Sequence, residues 1–219
     1  MHRSIAAAAI ALGLGGPAIA ADLYHNGQAP AALQSAAVAL APGVYVNIGA
    51  GGALTNAHVQ QAQTDFALAG PIGDLRIGYD YILPNQRFLV GVFANVSAEE
   101  SQGKAQGAKV EQVLGYGGGV RAGAIINNTA LIYGLVAYQR KHVGVIDTSF
   151  SADINGLQPG AGIEVALGHG ITLGAEVTAT FYEDWHVGTG HDQAKIGETE
   201  LAAMGRLGFH PDALWSSLK

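Results

Sequence analysis

The sequence predicts an all-β protein, an eight-stranded antiparallel up-and-down transmembrane β-barrel. Eight short segments alternate apolar residues with small or polar ones. A period of two is that of an extended strand, whose successive side chains point to opposite faces. The connectors between these segments are alternately long and short. Only 13% of the residues are charged, against about 25% in a typical soluble domain, so we do not expect the whole outer face to lie in water.

The N-terminus has the features of a secretory signal peptide. Arg3 supplies the positive charge, Ile5 to Leu14 form an apolar stretch, and Ala18-Ile19-Ala20 is a small-residue cleavage pattern. The apolar runs elsewhere are too short, or too often interrupted by charge, to span a membrane as a helix.

The composition then predicts how the chain is divided. The predicted parts are a cleaved signal peptide (1–20), an Ala/Pro-rich periplasmic spacer (21–42), an outer-membrane β-barrel (43–210) and a C-terminal extension (211–219). A short helix from Ala31 to Leu40, lying against the barrel end, is the alternative to a loose spacer.

The first two strands show the contrast between the faces. The first runs from Gly43 to Gly51, and a long polar connector follows it to about Gly70. The second runs from Gly73 to Ile82. Its two faces are Leu75, Ile77, Tyr79 and Tyr81 on one side and Asp74, Arg76 and Asp80 on the other. Charges at alternate positions cannot face a dry core without partners, so we expect them to face a polar lumen while the apolar face meets lipid.

The remaining strands follow in pairs that tight turns connect. Their predicted bounds are Arg87–Ser97, Val110–Ile125, Ala130–Arg140, Gln158–Ala166, Ile171–Tyr182 and Thr199–His210. The turn signals are Pro84-Asn85-Gln86, Asn127-Asn128 and Gly168-His169-Gly170. The long polar connectors are Ala98–Gly107, the segment through Asp147 and Asp153, and Glu183–Glu198. In the fifth strand we favour the phase with Leu131, Tyr133, Leu135 and Ala137 outward.

The order of the connectors indicates the type of barrel. Short turns follow the second, fourth and sixth strands, so all of them fall on one side and all long connectors on the other. Bacterial outer-membrane barrels have short periplasmic turns and longer extracellular loops. Tyr81, Phe88 and Phe209 fall at the short-turn end, and Tyr116 and Phe181 fall near the other end, as two aromatic girdles would. The pattern predicts a bacterial outer-membrane protein with both termini in the periplasm.

Eight charged residues are predicted to face the lumen: Asp74, Arg76, Asp80, Arg121, Glu164, Glu176, Glu200 and Arg206. Paired carboxylates are also the groups used in general acid–base catalysis. Eight strands leave an interior only wide enough for side chains, and buried charges need partners. We therefore interpret these residues as a structural salt-bridge network rather than as a catalytic site.

The sequence gives little support to other chemistry. It contains no cysteine, and its net charge of −6 argues against nucleic acid as a partner. His186 and His191 lie near Glu183, Asp184 and Asp192, but two histidines five residues apart in a loop are not a metal signature. The catalytic motifs of hydrolases, zinc proteases and nucleotide-binding loops are absent from the sequence. We expect no enzyme activity, no cofactor and no metal.

Several strand sequences resemble one known family. Gly119–Gly123, Leu131–Tyr138, Gly160–Glu164 and Arg206–Phe209 are similar to the hairpins of the small outer-membrane β-barrel proteins of α-proteobacteria, the 25- and 31-kilodalton surface antigens of porin-family type. The resemblance covers roughly residues 43–210. It implies outer-membrane lipid, lipopolysaccharide and the barrel assembly machinery as partners. Family members usually end on an aromatic residue, whereas this chain continues ten residues past Phe209.

The predicted function is structural. The resemblance implies a Gram-negative surface protein that contributes to envelope integrity and displays four surface loops. A haem-binding, small-solute-binding or narrow channel protein is one alternative, since haem binding is attributed to some relatives. A soluble exported barrel with an apolar ligand inside is the second. It would place Asp74, Arg76 and Glu176 on the outside, so their location distinguishes the two architectures.

Overall fold

The structure is a computed structural model. It describes residues 40–59, 64–100, 104–105, 108–145, 151–187 and 194–211. Within these ranges, the long strands are β1 (Gly43–Val59), β2 (Thr64–Ile82), β3 (Phe88–Glu99), β4 (Ala108–Ile126), β5 (Ala130–Val145), β6 (Ser151–Gly168), β7 (Ile171–Tyr182) and β8 (Ala194–Phe209). Two short strands, Lys104–Ala105 and Trp185–Val187, pair with β4 and β8. No helix among the described residues is long and apolar enough to cross a membrane.

The eight long strands close into a barrel. Each pairs antiparallel with the next, and β8 pairs with β1. A path from partner to partner around the wall passes through Gly43, Asp80, Gly91, Arg121, Leu135, Gly160, Thr178, Ala202 and Ala53. It therefore returns to β1 ten residues beyond its start, which means that the strands are tilted to the barrel axis. Closure of the wall removes the sheet edges, and the predicted eight-stranded fold is confirmed.

Side chains alternate across the wall, with an apolar belt outside and polar groups inside. Roughly half of each belt side chain is exposed, as for Ile48, Val92, Val120, Val136, Val177 and Leu207. Asp74, Arg76 and Glu176 are only 8%, 1% and 1% exposed. The charged face is thus the inner face, and the soluble barrel with an apolar interior is wrong.

The predicted phase of the fifth strand is also wrong. Leu131, Tyr133, Leu135 and Ala137 are all buried on the inner face of β5, and Ile132, Val136 and Tyr138 are exposed outside. Both faces of this segment are apolar between residues 131 and 137, so the alternation there does not distinguish lumen from lipid. The polar residues Gln139 and Lys141, further along β5, are both buried inside and set its phase.

The long connectors were predicted over too many residues. β1 continues to Val59 and β2 begins at Thr64. In the same way β5 continues to Val145, β6 begins at Ser151 and β8 begins at Ala194. Hydrogen-bonded pairing therefore extends into segments whose polarity had indicated loops, because a polar strand in water needs only a paired neighbour to satisfy its backbone.

The short turns close the opposite end of the barrel. Asn127 and Asn128 both adopt positive φ, 51° and 60°, a conformation that asparagine tolerates, and the Thr129 N–H donates to the Ile126 carbonyl oxygen at 3.1 Å to close this tight turn. Leu40 is buried against this end, and its N–H donates to the Asn128 carbonyl oxygen at 3.0 Å. Residues 1–39 and 212–219, with the predicted signal peptide, most of the spacer and most of the extension, lie outside the described residues.

Candidate functional site

The charged lumen is the candidate site. All eight residues predicted to face it are buried there, none more than 8% exposed: Asp74, Arg76, Asp80, Arg121, Glu164, Glu176, Glu200 and Arg206. They fall into three clusters along the barrel axis. The turn-end cluster comprises Arg121, Asp80, Glu164 and His210; the central cluster comprises Arg76, Arg206, Asp74 and Glu176; and the mouth cluster comprises Lys141, Glu99, Glu198 and Glu200.

In the turn-end cluster, one guanidinium joins two carboxylates. Arg121 donates from Nε to Asp80 Oδ1 at 3.0 Å and from Nη2 to the other oxygen of Asp80, and from Nη1 to Glu164 Oε2 at 3.0 Å. The Arg121 guanidinium also lies 4.3 Å from the Tyr45 ring centroid, within the range of a cation–π contact. His210 Nε2 lies 3.5 Å from Glu164 Oε1.

The central cluster is a closed set of bidentate ion pairs. Arg76 bonds both oxygens of Glu176 at 2.8 and 3.0 Å, and Arg206 bonds both oxygens of Asp74 at the same two distances. Arg206 also donates to Glu176 at 2.8 Å, and the Tyr133 hydroxyl donates to Glu176 at 2.8 Å. Two positive charges meet two negative charges in the geometry that is strongest for arginine and carboxylate.

The mouth cluster places one ammonium group among three carboxylates. Lys141 Nζ lies 2.8 Å from Glu200, 3.1 Å from Glu198 and 3.3 Å from Glu99. The four side chains are 5–7% exposed. One ammonium group therefore faces three carboxylates, and its ring contact is Tyr182, whose centroid lies 5.0 Å from Nζ.

Inward glycines explain how these pairs form. Gly91 of β3 stands between Asp80 and Arg121 in the sheet register, and Gly49 of β1 stands between Asp74 and Arg206. A Cβ added to Gly91 or Gly49 would lie 2.1 or 2.4 Å from the aspartate Oδ1, closer than atoms can approach. The two charged side chains thus meet across a middle strand only because that strand has no side chain there.

The same arrangement recurs with a tyrosine–glutamate pair and with an asparagine–glutamine pair. Four such triplets of neighbouring strands carry a hydrogen-bonded polar pair across a glycine: Asp80–Gly91–Arg121, Asp74–Gly49–Arg206, Tyr133–Gly162–Glu176 and Asn95–Gly117–Gln139. We call these glycine-bridged pairs. They account for part of the high glycine content of the chain, 32 residues, since each pair needs an empty inward position beside it.

Sequence reasoning missed several members of the site. Glu99 and Glu198 were assigned to polar connectors, and Lys141 lies one residue beyond the predicted end of the fifth strand. Tyr133 was assigned to the lipid face. Strand alternation continued for one or two residues past the predicted ends would have placed Glu99 and Glu198 inside, whereas the wrong phase of the fifth strand would still have placed Lys141 outside.

The packed lumen leaves little free space. A cavity of about 30 Å³ lies between the central and mouth clusters and is lined by Asp74, Arg76, Glu99, Lys141 and Glu200 among others. A cavity of this size has room for no more than a few water molecules.

The predicted loop histidines are only partly described. Glu183 and Asp184 are exposed, whereas the side chain of His186 and all of His191 and Asp192 lie outside the description. Across the described residues, no three His, Asp or Glu side chains are grouped so that they could hold a metal ion.

A closed barrel with an apolar belt and a packed polar lumen defines a transmembrane β-barrel protein. The model of the family described as "Outer membrane protein beta-barrel domain" matches residues 29–203, and the chain belongs to this family of the bacterial outer membrane. No curated protein sequence matches the chain.

Several solved structures are similar to the chain at low identity. Neisserial surface protein A matches with a TM-score of 0.49 and 15% identity over 75% of this chain and 96% of that one. The attachment invasion locus protein of Yersinia pestis, crystallised with a heparin analogue, matches with 0.42 and 16% over 75% and 99%. The outer membrane protease OmpT of Escherichia coli matches with 0.35 and 7% over 76% and 96%.

Proposed function

We propose that this protein is a structural component of the outer membrane that contributes to envelope integrity and displays the connectors of its long-connector end at the cell surface. The observation that carries the proposal is the filled lumen. Three clusters of paired charges occupy it, and the cavity between two of them holds about 30 Å³. A barrel of this kind offers its lipid-facing wall and its outer connectors for function, rather than its interior.

The proposal includes the finer features of the sequence interpretation. The chain is a surface antigen of the small α-proteobacterial type, exported by a cleaved signal peptide at residues 1–20 and inserted by the barrel assembly machinery. The lumen network has a structural role: its carboxylates are engaged by guanidinium, ammonium or hydroxyl groups, which supports a protein that is not an enzyme.

The channel alternative predicts a measurable current. We expect the purified full-length protein to give no steady conductance in a planar lipid bilayer, because the ion pairs of the central cluster cross the lumen. An open channel at neutral pH, stable over minutes, would overturn the structural assignment and favour solute passage. The haem alternative depends on His186 and His191 as iron ligands.

Envelope integrity is tested in cells. Deletion of the gene should raise sensitivity to detergent and to large antibiotics that an intact outer membrane excludes. Expression of the wild-type protein, or of a variant in which residues 60–63 and 146–150 are replaced by short Gly/Asn turns, should restore resistance. Unchanged sensitivity in the deletion strain would contradict an envelope role, whereas rescue by the wild type alone would assign that role to the connectors.

A further inference from the structure

A second group of charged residues lies on the outer wall of the barrel. Arg140 Nη2 donates to Asp153 Oδ2 at 2.8 Å, and His142 Nδ1 lies 2.8 Å from Asp153 Oδ1. The three side chains are 45%, 54% and 44% exposed. We call these three residues the rim cluster. One carboxylate thus holds a guanidinium and an imidazole side by side on the outside of β5 and β6.

The rim cluster lies at the upper boundary of the apolar belt. Tyr116 is the cross-strand neighbour of Arg140, and Tyr138 precedes Arg140 by two residues on the same outward face. Both tyrosines are about half exposed, as expected for the aromatic girdle at the membrane interface. The next outward position along β5 is Arg140, the first charged side chain beyond these tyrosines, which is the depth expected for the boundary between acyl chains and headgroups.

The cluster is at the extracellular end of the barrel. It lies opposite the tight turns, which are periplasmic in this type of barrel. Among the arginines and lysines with described side chains, Arg140 and Arg87 are the two that are exposed, and Arg87 lies beside a tight turn at the other end. The outer-leaflet boundary therefore has one described outward arginine, and this arginine has an imidazole beside it.

Both basic side chains have hydrogen-bonding atoms left over. Arg140 uses Nη2 for Asp153, and His142 uses Nδ1. The structure gives no partner among the described residues to Arg140 Nε and Nη1 or to His142 Nε2. Guanidinium groups present several donors in a fixed fork that suits the oxygens of a phosphate.

We propose that the rim cluster binds a phosphate group of lipopolysaccharide in the outer leaflet. The phosphate accepts hydrogen bonds from Nε and Nη1 of Arg140 and, when the His142 ring carries a proton on both nitrogens, from its Nε2, while Asp153 keeps both side chains against the wall. Tyr116 and Tyr138 form the floor of the site and contact the upper part of the acyl chains. The ligand chemistry is that of an anionic phosphate held at a fixed depth in the membrane.

The test measures how much lipopolysaccharide the folded barrel retains. The full-length protein and an Arg140→Gln/His142→Gln double variant are placed in phosphatidylcholine nanodiscs with lipopolysaccharide, in the presence of EDTA to remove bridging divalent cations. Loss of the charge-assisted hydrogen bonds should weaken retention by about tenfold. Arg87→Gln, which removes an exposed arginine at the other end, is the matched control and should retain lipopolysaccharide like the wild type.

Two further arms identify the ligand group. Dephosphorylated lipopolysaccharide should bind the wild type as weakly as intact lipopolysaccharide binds the double variant. Millimolar inorganic phosphate should leave the bound lipopolysaccharide in place. If the double variant folds, as unchanged gel mobility would show, and retains as much lipopolysaccharide as the wild type, the proposal is overturned. Displacement of lipopolysaccharide by inorganic phosphate would also overturn it, since the cluster would then be a site for free anions.

Discussion

The central cluster and the mouth cluster of the lumen differ in how their charges are paired. In the central cluster two arginines meet two carboxylates in two bidentate pairs, whose four hydrogen bonds are 2.8–3.0 Å long. In the mouth cluster one lysine faces three glutamates. The central cluster lies within the height of the apolar belt, where an unmatched charge would be costly. The mouth cluster lies nearer the water-facing rim, where counterions reach charged groups more easily, and Glu99 there has a further interaction besides Lys141. Depth in the membrane therefore sets how closely charges must be matched.

The largest loss of stability is expected in the central cluster, where two arginines pair with two carboxylates. Glu176→Gln keeps the volume but removes the negative charge that Arg76 and Arg206 share. Breaking a buried pair by removing one partner typically costs about 3–5 kcal/mol. Urea unfolding of the refolded protein in lipid vesicles, followed by circular dichroism, measures the change. Glu183→Gln, at an exposed position, is the control, and an equal midpoint for both variants would contradict the role of Glu176.

A smaller loss is expected when a glycine-bridged pair is obstructed. The methyl group of Gly91→Ala would lie 2.1 Å from Asp80 Oδ1, so Asp80 and Arg121 must separate. Overpacking of this kind typically costs about 1–3 kcal/mol. Gly134→Ala is the matched control, because that glycine is in β5 and its added Cβ would have one neighbour, the Gly160 carbonyl oxygen at 3.8 Å. A thermal shift assay on both variants should show a loss for Gly91→Ala only.

The mouth cluster should tolerate loss of a carboxylate. Glu198→Gln removes one of three negative charges around Lys141 and, with it, the repulsion between Glu198 and the other two carboxylates, so we expect a change in unfolding free energy below about 1 kcal/mol. The same urea titration at low and high salt measures it. A loss of unfolding free energy as large as that of Glu176→Gln would mean that the mouth cluster needs each of its charges as much as the central cluster does.

The smallest effect is expected outside the barrel. Asp153→Asn breaks the exposed contacts to Arg140 and His142, and ion pairs in water contribute little to stability. We expect no measurable change in the urea midpoint in vesicles that lack lipopolysaccharide. A clear loss would show that the outer wall, and not only the lumen, stabilises the fold.

The sequence predicted most of the strands because charge marks the lumen face. In β2, for example, Asp74, Arg76 and Asp80 establish the phase without ambiguity. In β5 the residues from 131 to 137 carry no charge on either face, and the phase was wrong for that reason. Hydrophobic patterning distinguishes two surfaces only when they differ in polarity.

The partners within the lumen could not be predicted in the same way. A sequence pattern places Asp80 and Arg121 on the inner face but does not give the register that brings them together across β3. Glu198 was missed because it lies past the predicted start of its strand. Lys141 was missed because it lies past the predicted end of the fifth strand and because the predicted phase of that strand was wrong. Pairing of charges is a property of the closed barrel, since it depends on the relative shift of all its strands.

The glycine-bridged pairs favour one strand register over its neighbours. A slip of β3 by one residue would place Val90 or Val92, instead of Gly91, between Asp80 and Arg121, and the bulky side chain would keep those charges apart. The same slip would turn the apolar face of β3 into the lumen. Each pair can form only when three neighbouring strands are in register, so a register error in one strand breaks contacts with the two strands beside it. During insertion, the correct register of three strands is therefore stabilised together by the same ion pair or hydrogen bond.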